Sequence, residues 1–446
     1  MAPENWNMMI SDEKLSARFA AWMSVEGKNF ASPEVARSYQ LRAKRYTTVI
    51  SLGKPDRVPC FLNAGNFVAK YAGVNHSDFF YDLDVAASAM AKFYEDFGLD
   101  YQVSGYFFPG KILDRLDYKL YRWPGGKLPK DTPFQCEEKE YMTADEYDAL
   151  IADPSAFLVR SFLPRVFGAL DGLQMLPDFL GATELPFVPF VIAPMGSPPM
   201  QEALKTIVEA GQAILDWIGT SARISAKALA EKGLPVTAGG FTKAPFDFIG
   251  DTMRGTRGIM LDIYRKPEKV LEACDRLVPI AVRMAVSAVN KSGIPIVMIP
   301  LHKGADGFMS SKDFEKFYWP SLRAVILGII SEGAMPFLFA EGGYNQRLDI
   351  IADSGLPAGR TIWYFDRTDM AQAKNKIGTW ACIGGNVPAS LFKAGTPQQM
   401  EDAVRKLMDI AAPGGGYFIA PGAILDDAEP GNVHAYLKAA EEHGAY

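Results

Sequence analysis

Apolar residues recur along this chain in two rhythms. Short runs rich in Val, Ile, Phe and Tyr end in glycine-rich or polar loops, and longer stretches with apolar positions three and four apart follow them. The first rhythm predicts buried strands and the second amphipathic helices. Strands are predicted at "VPCFLN" (58–63), "DYQVSG" (100–105), "PVTAGGF" (235–241) and "IPIVMIP" (294–300), and then at "AMPFLFA" (334–340), "TIWYFD" (361–366), "WACIGGN" (380–386) and "GGYFIAP" (415–421). Helical patterns fall between them, as in "DVAASAMAKFYEDFG", "PEKVLEACDRLVPIAVRMAVSAVNKSG" and "TPQQMEDAVRKLMDIAA". Strands that alternate with helices pair in parallel, so eight such units predict an α/β fold, a closed (β/α)8 TIM barrel. Residues 1–50 read as an N-terminal helical arm packed on the body. Residues 106–230 read as a long insertion between the second and third strands, a lid or flank over the barrel mouth. Its apolar run at 187–193 reads alternatively as a barrel strand. The whole of 1–446 is expected to form one domain.

In such a barrel the chemistry sits where strands become loops at the C-terminal face. The first strand ends on Asn63, with Asn66 just beyond. The second ends on Tyr106, Phe107 and Phe108, and the third on Phe241, Thr242 and Lys243. The fourth runs from an apolar core into His302 and Lys303, and His302 is the only histidine between His76 and His434. The fifth ends on Glu341 and the sixth, which carries Tyr364, on Asp366. The seventh carries Cys382 and ends on Asn386. Neighbouring parallel strands lie about 4.8 Å apart, so these ends share one space. His, Glu and Cys are zinc ligands, which makes His302, Glu341 and Cys382 a candidate metal set. His302, Lys303 and Asp366 are candidate acid, base or charge groups. Asn63, Asn66, Tyr106, Phe107, Phe108, Phe241, Tyr364 and Asn386 are candidate substrate contacts. Blander readings stand beside these. A strand-end histidine is often hydrogen-bonded structure, and a cysteine in "WACIGG" is often a small core hydrophobe. Asp366 reads equally as the partner of Arg367 or Lys303, or as the cap of the helix at "TDMAQAK". The loop "GGFTKAPFDFIGDTMRG" reads as a tight turn or as backbone open to a ligand.

Composition narrows the class. The 446 residues are 48% hydrophobic and 22% charged, with a net charge of −6 and both signs interspersed, so nucleic acid is not the expected partner. No run reaches the ~18 apolar residues of a membrane span, and no secretory leader is read at the N-terminus. The four cysteines are far apart and form no Cys-x-x-Cys pair, which fits reduced thiols and a cytoplasmic location. No spacing matches a phosphate-binding loop or a dinucleotide fingerprint.

Three segments, taken in order, carry a family resemblance. "GADGFMSSKDFEKFYWPSL", "GNVPASLFKAGTPQQMEDAVRKLMD" and "GGYFIAPGAILDDAEPGNVHAY" resemble the C-terminal half of the uroporphyrinogen decarboxylase superfamily, which also contains cobalamin-dependent methyltransferases. The resemblance runs from about residue 235 to 440 and more loosely from 50 to 105. The chain departs from the decarboxylases where their arginine-rich segment stands, since "LNAGNFVAKY" has no arginine. Tyr106 falls where they carry a catalytic aspartate, and Gly422 falls near where they carry a histidine. It also departs from the thiol-methylating branch, whose zinc ligands fall here on Phe339, Glu341 and Ala423. The resemblance implies a methyltransferase that moves a methyl group between a methylated, partly apolar small molecule and a corrinoid. With no "DxHxxG" motif, that corrinoid is expected on a separate protein. A zinc on His302 and Glu341, with Cys382 or Asp366, is the expected Lewis acid. The alternative is a lyase or decarboxylase of a small carboxylated substrate that uses His302 and Asp366 without corrinoid. A homodimer is implied as well.

Overall fold

The computed structural model describes residues 6–103 and 108–446. Helices α1 (Ser11–Met23) and α2 (Pro33–Ile50) form the arm, and α3 (Leu83–Asp96) precedes the second predicted strand. A short antiparallel hairpin follows, β1 (Tyr121–Arg122) with β2 (Gln135–Cys136). Next comes α4 (Pro198–Lys232), and then a parallel six-stranded sheet. Its strands are β3 (Gly240–Phe241), β4 (Ile296–Leu301), β5 (Met335–Ala340), β6 (Ile362–Phe365), β7 (Cys382–Gly384) and β8 (Tyr417–Phe418), hydrogen-bonded in chain order. Helices α5 (Pro267–Ser292), α6 (Trp319–Ser331), α7 (Pro397–Ala411) and α8 (Pro430–Glu442) pack on it. Sequential parallel strands with helical crossovers are the TIM-barrel plan, and the sheet follows it from the third predicted strand to the eighth.

The first two predicted strands are thinner than expected. Residues 58–63 attach to the eighth strand: Phe61 donates its N–H to the Ile419 carbonyl and Ile419 donates to Pro59, each at 2.9 Å. Gln102 donates to the Pro235 carbonyl at 3.0 Å, which ties the second stave to the third. Between the first and second staves the Cys60 N–H reaches the Asp100 side chain at 3.4 Å, and no backbone ladder is assigned there among the described residues. The run at 187–193 is no strand. It is a short helix, Val188–Ile192, with Pro189 in its first turn, where proline is tolerated.

Alternation along the strands sorts side chains to two faces. Val297, Ile299, Leu301, Leu338, Trp363, Phe365 and Ile383 join the cluster under the outer helices. Ile296, Phe337, Phe339, Ile362, Tyr364, Cys382 and Phe418 face inward, and Leu15, Phe19, Trp22 and Tyr46 of the arm join them. No helix among the described residues is long and apolar enough to cross a membrane.

Candidate active site

The register places the strand ends in a ring. Leu301 pairs with Ala340 and Ala340 with Phe365, so His302, Glu341 and Asp366 stand one residue further on at a common height. Tyr364 pairs with Gly384, which brings Asn386 to the same level. All four continue the inward-facing set. Phe241 and Tyr364 lie deeper and line a cavity of about 460 Å³, together with Asn63, Tyr101, Met298 and Phe337. The described residues around this cavity are apolar, aromatic or neutral polar, and none of them is charged.

His302 is clamped on both sides. Its Nδ1 lies 2.6 Å from an Asp251 carboxylate oxygen, and its Nε2 lies 3.5 Å from Glu341. Burial disfavours the imidazolium, but the hydrogen bonds and charges of Asp251 and Glu341 outweigh it, and the pKa rises to about 10. About a third of the His302 side chain still reaches the surface, at 36% exposure. Asp251 is ringed by cations: Lys243 hydrogen-bonds it directly, His302 pairs with it, and Lys303 Nζ lies 3.6 Å away. Burial raises its pKa, yet the bond to His302 and the charge of Lys243 bring it down to about 2. Beneath them lies Asp247, fully buried, whose carboxylate accepts the backbone N–H groups of His302 (3.1 Å) and Lys303 (2.9 Å) and the Tyr318 hydroxyl (2.7 Å). Burial, with the Asp251 charge beside it, pushes the Asp247 pKa up.

Local sequence explains how two aspartates reach this place. After β3 the chain forms one turn at Pro245–Asp247 and then a π-helical turn at Phe248–Met253. The wider turn leaves Asp247 and Asp251 on one face, toward the end of β4, and such turns are frequent at functional sites. Tyr318 sits on a second π turn, Phe314–Tyr318. The segment after the hairpin is fastened above: Tyr141 and Met142 both donate to the Met253 carbonyl, and Glu138 accepts the Thr256 N–H.

The predicted residues are therefore only partly brought together. His302, Glu341, Asp366 and Asn386 share the mouth, and Asn63, Phe241 and Tyr364 line the cavity. Lys303 faces Asp251 and Thr256 Oγ1, at 2.7 Å from the latter. Asp366 accepts the Gly342 N–H at 3.0 Å and lies 3.4 Å from Arg367, and burial raises its pKa. The helix it was expected to cap is capped by Asp369 instead. Asn66 points away, donating to Asp426 at 2.6 Å, and Phe108 packs edge-on against Phe80 and Phe134. Tyr106 and Phe107 lie outside the described residues. Cys382 is not with His302 and Glu341. It begins β7, level with Ile362, four residues and roughly 13 Å of strand rise below Asn386. There it is fully buried, and burial drives its pKa far up, the setting of an inert thiol. Among the described residues no group of three or more His, Cys, Asp and Glu side chains is placed to hold a metal ion. A catalytic zinc takes three protein ligands; His302 and Glu341 supply two, Cys382 lies too deep to be the third, and Asp366 is turned to the Gly342 N–H and Arg367, so the donor set of the described residues does not fit the expected zinc.

Sequence reasoning put Lys243 at a strand end without giving it a role, and passed over Asp247 and Asp251. The signal was two aspartates four residues apart, just past a strand end, in "APFDFIGDTM".

Comparison with known proteins agrees with this architecture. A methyltransferase structure from Methanosarcina mazei shares the fold over 90% of this chain and 98% of its own, with a TM-score of 0.57 at 15% identity. Uroporphyrinogen decarboxylase from Methylococcus capsulatus is 25% identical over 240 residues, 52% of this chain and 65% of that protein. The decarboxylase of an Enterobacter species is 26% identical over 210 residues, 46% and 57% of the two chains. The chain thus spans less than two thirds of the length of these curated relatives. The family model described as Uroporphyrinogen decarboxylase (URO-D) matches residues 179–443, beginning inside the segment expected to be an insertion. With more than half of its length matched, the chain belongs to the uroporphyrinogen decarboxylase (URO-D) family.

Proposed function

We propose that this protein is a methyltransferase that releases a methyl group from the oxygen of a neutral, partly apolar small molecule, with His302 as general acid, and that a corrinoid on a separate protein is the acceptor. One observation carries the reading: a histidine clamped between Asp251 and Glu341 at the mouth of a barrel whose cavity is lined, among the described residues, by no charged side chain. Among the described residues of the mouth Lys243 and Lys303 face Asp251, His302 is held between Asp251 and Glu341, and Arg367 lies beside Asp366, so a substrate rich in carboxylates meets no unpaired cation there. That favours methyl transfer over decarboxylation of a polyanion.

A reduced corrinoid, when bound, supplies the nucleophile that takes the methyl group. This chain supplies position and a proton. When the methyl–oxygen bond breaks, the electron pair stays on oxygen, and an alkoxide or phenoxide leaves poorly. The Nε2 proton of His302 passes to that oxygen, so the products are the alcohol or phenol and a neutral imidazole. Asp251 keeps the ring oriented through Nδ1–H and favours its charged form beforehand. The 3.5 Å spacing to Glu341 is long for a hydrogen bond, so a substrate oxygen can take its place. Aromatic walls at Phe241, Phe337 and Tyr364 suit an aromatic methyl ether.

The test is demethylation of a panel of methoxylated aromatics in the presence of a reduced corrinoid protein, followed by the corrinoid absorbance. His302→Ala is expected to lower kcat by about 10²–10⁴, the usual worth of a general acid. Wild-type activity should survive dialysis against a chelator. Activity lost to the chelator and regained with zinc would replace the proton by a Lewis acid, and no transfer from any member of the panel would overturn the reading.

A further inference from the structure

The cavity behind Phe241 and Tyr364 does not end at the barrel wall. In a closed barrel the strands part the interior from the helices outside. Here Met90 and Tyr94 of α3 and Ser221, Ile224 and Ser225 of α4 line the same space as Phe241 and Tyr364. The cause lies in the second and third staves. Among the described residues, the bond from the Gln102 N–H to the Pro235 carbonyl is the one backbone tie between them. The Gln102 side chain pins that point, since its Nε2 donates to the carbonyls of Ser225 at 3.0 Å and Leu234 at 2.9 Å. Past it the cavity passes between the staves, lined by Val103 of one and by Val236 and Ala238 of the other. Tyr94 and Ile224 also line a charged surface cleft that holds Lys92, Arg223 and Glu231, so these two side chains are the wall between the two spaces. Tyr94 is fixed there, buried and with its hydroxyl donating to the Val103 carbonyl at 3.1 Å.

We propose that this lateral extension holds the far ring of a two-ring aryl methyl ether that carries a hydroxyl on that ring, and that Ile224 and Ser221 set the length and end group the site accepts. This rests on the methyl transfer proposed above and names its substrate class. Volume sets the length. An apolar cavity of roughly 150 Å³ holds one benzene ring. The space here is about 460 Å³, so a one-ring ether leaves most of it to water. That water would stand against Met90, Val103 and Ile224, and a second ring that displaces it gains their apolar surface. The near end fits the chemistry. Phe241 and Tyr364 lie one inward-facing position, roughly 7 Å of strand rise, below Lys243 and Asp366 at the mouth. A first ring between them directs its methoxyl oxygen toward His302. The far end fits a hydroxyl. Ser221 donates to the Trp217 carbonyl at 2.9 Å and Ser225 to Gln102 Oε1 at 2.7 Å. With their protons used, both serines present lone pairs to the cavity, which suits a phenol that donates and not a carboxylate that only accepts.

Equilibrium dialysis of the full chain, without corrinoid, against anisole, 4-methoxybiphenyl and 4-hydroxy-4′-methoxybiphenyl tests this. Burial of the second ring should tighten binding by about tenfold or more from anisole to methoxybiphenyl. The hydroxyl should add a further several-fold, and Ser221→Ala should erase that increment alone. Ile224→Trp and Ser221→Leu both fill the far end, so both should abolish the preference for two rings. Unchanged anisole binding in these variants shows that the fold and the near end are intact. Equal affinity for one and two rings in the wild type would overturn the proposal, as would a preference that survives both filling variants, or a hydroxyl increment that survives Ser221→Ala. The reaction is read separately. The two-ring preference without methyl transfer to a reduced corrinoid protein would strike the proposed reaction and leave the cavity assignment standing. Transfer from one-ring ethers with no preference for a second ring would do the reverse.

Discussion

His302 holds a proton that a free histidine gives up near pH 6.5. Its ring is predicted to keep imidazolium shifts at pH 9 in ¹⁵N-histidine spectra. A ring that titrates near 6.5 in the wild type would remove the general acid. The linkage follows in sign. The folded pKa of about 10 lies above the unfolded one, so the stability this proton contributes is full below pH ~6.5 and is lost as pH climbs through about 10. Asp251 works the other way: held near 2 against an ordinary 3.8, it stabilises above that ordinary value and ceases to as pH falls through about 2. Asp251→Asn removes the charge that raises His302. The alkaline limb of kcat is then expected to move down from near pH 10 toward neutrality, with roughly tenfold or greater loss at pH 8. A limb that stays in place would assign the alkaline titration to another group. His302, Glu341 and Asp366 were legible because each ends an apolar run, and the strand period fixes which way it points. Asp251 was not, because a π turn after the strand sets its direction. Cys382 faces inward as alternation requires, but alternation says nothing of height, and four residues of rise separate it from the mouth.

At the scale of elements, β4 to β6 lie close to their predicted limits because both of their faces are buried, so the apolar run is nearly as long as the strand. The outer staves were harder to read. At 58–63 and 100–103 the backbone makes isolated bonds, and apolar composition alone does not show how many partners a segment finds. The run at 188–192 matched a strand in hydropathy, yet Pro189 within it removes a donor that a central strand needs. β7 keeps a glycine, Gly384, against the neighbouring strand's Phe418. A Cβ on Gly384 would fall on the Phe418 ring of the neighbouring strand, which fills the interior there. Gly384→Ala is predicted to cost about 1–3 kcal/mol by overpacking, read from urea denaturation. Pairing it with Phe418→Leu should recover part of that loss. If Gly384→Ala proves neutral, the ring is free to move and the interior at this level is looser than its burial indicates.

Across the whole molecule, the arm and the barrel are joined by charge as well as by packing. The arm was legible as a helical arm packed on the body, and Arg42 and Arg45, three residues apart, share the face of α2 that turns inward. Their partner was not, because helical period selects a face and not a carboxylate 55 residues away in sequence. That carboxylate is Asp100, at the foot of the second stave. It accepts Arg45 Nη1 at 3.0 Å and Arg57 Nη2 at 2.6 Å, with Arg42 Nε 3.8 Å off. Arg45 also grips Asp56 through Nε and Nη2, at 2.8 and 2.6 Å. One buried anion thus holds the arm, the entry to the first stave and the start of the second. The first stave's Cys60 N–H joins it there, where no backbone ladder is assigned between those two staves. Asp100→Ala leaves three guanidinium groups converging on a cavity, and removing one partner of a buried ion pair costs about 3–5 kcal/mol. The melting temperature should fall by about 3–5 °C, as a single transition, since the arm's Tyr46 and Trp22 are packed into the barrel interior and cannot come away alone. Asp100 lies at the opposite end of the barrel from His302, so the His302 resonances should be unmoved below the new melting point. A loss under about 1 kcal/mol would mean that water takes the place of the carboxylate and that packing alone seats the arm. An earlier, separate transition would mean that the arm and barrel unfold as two units.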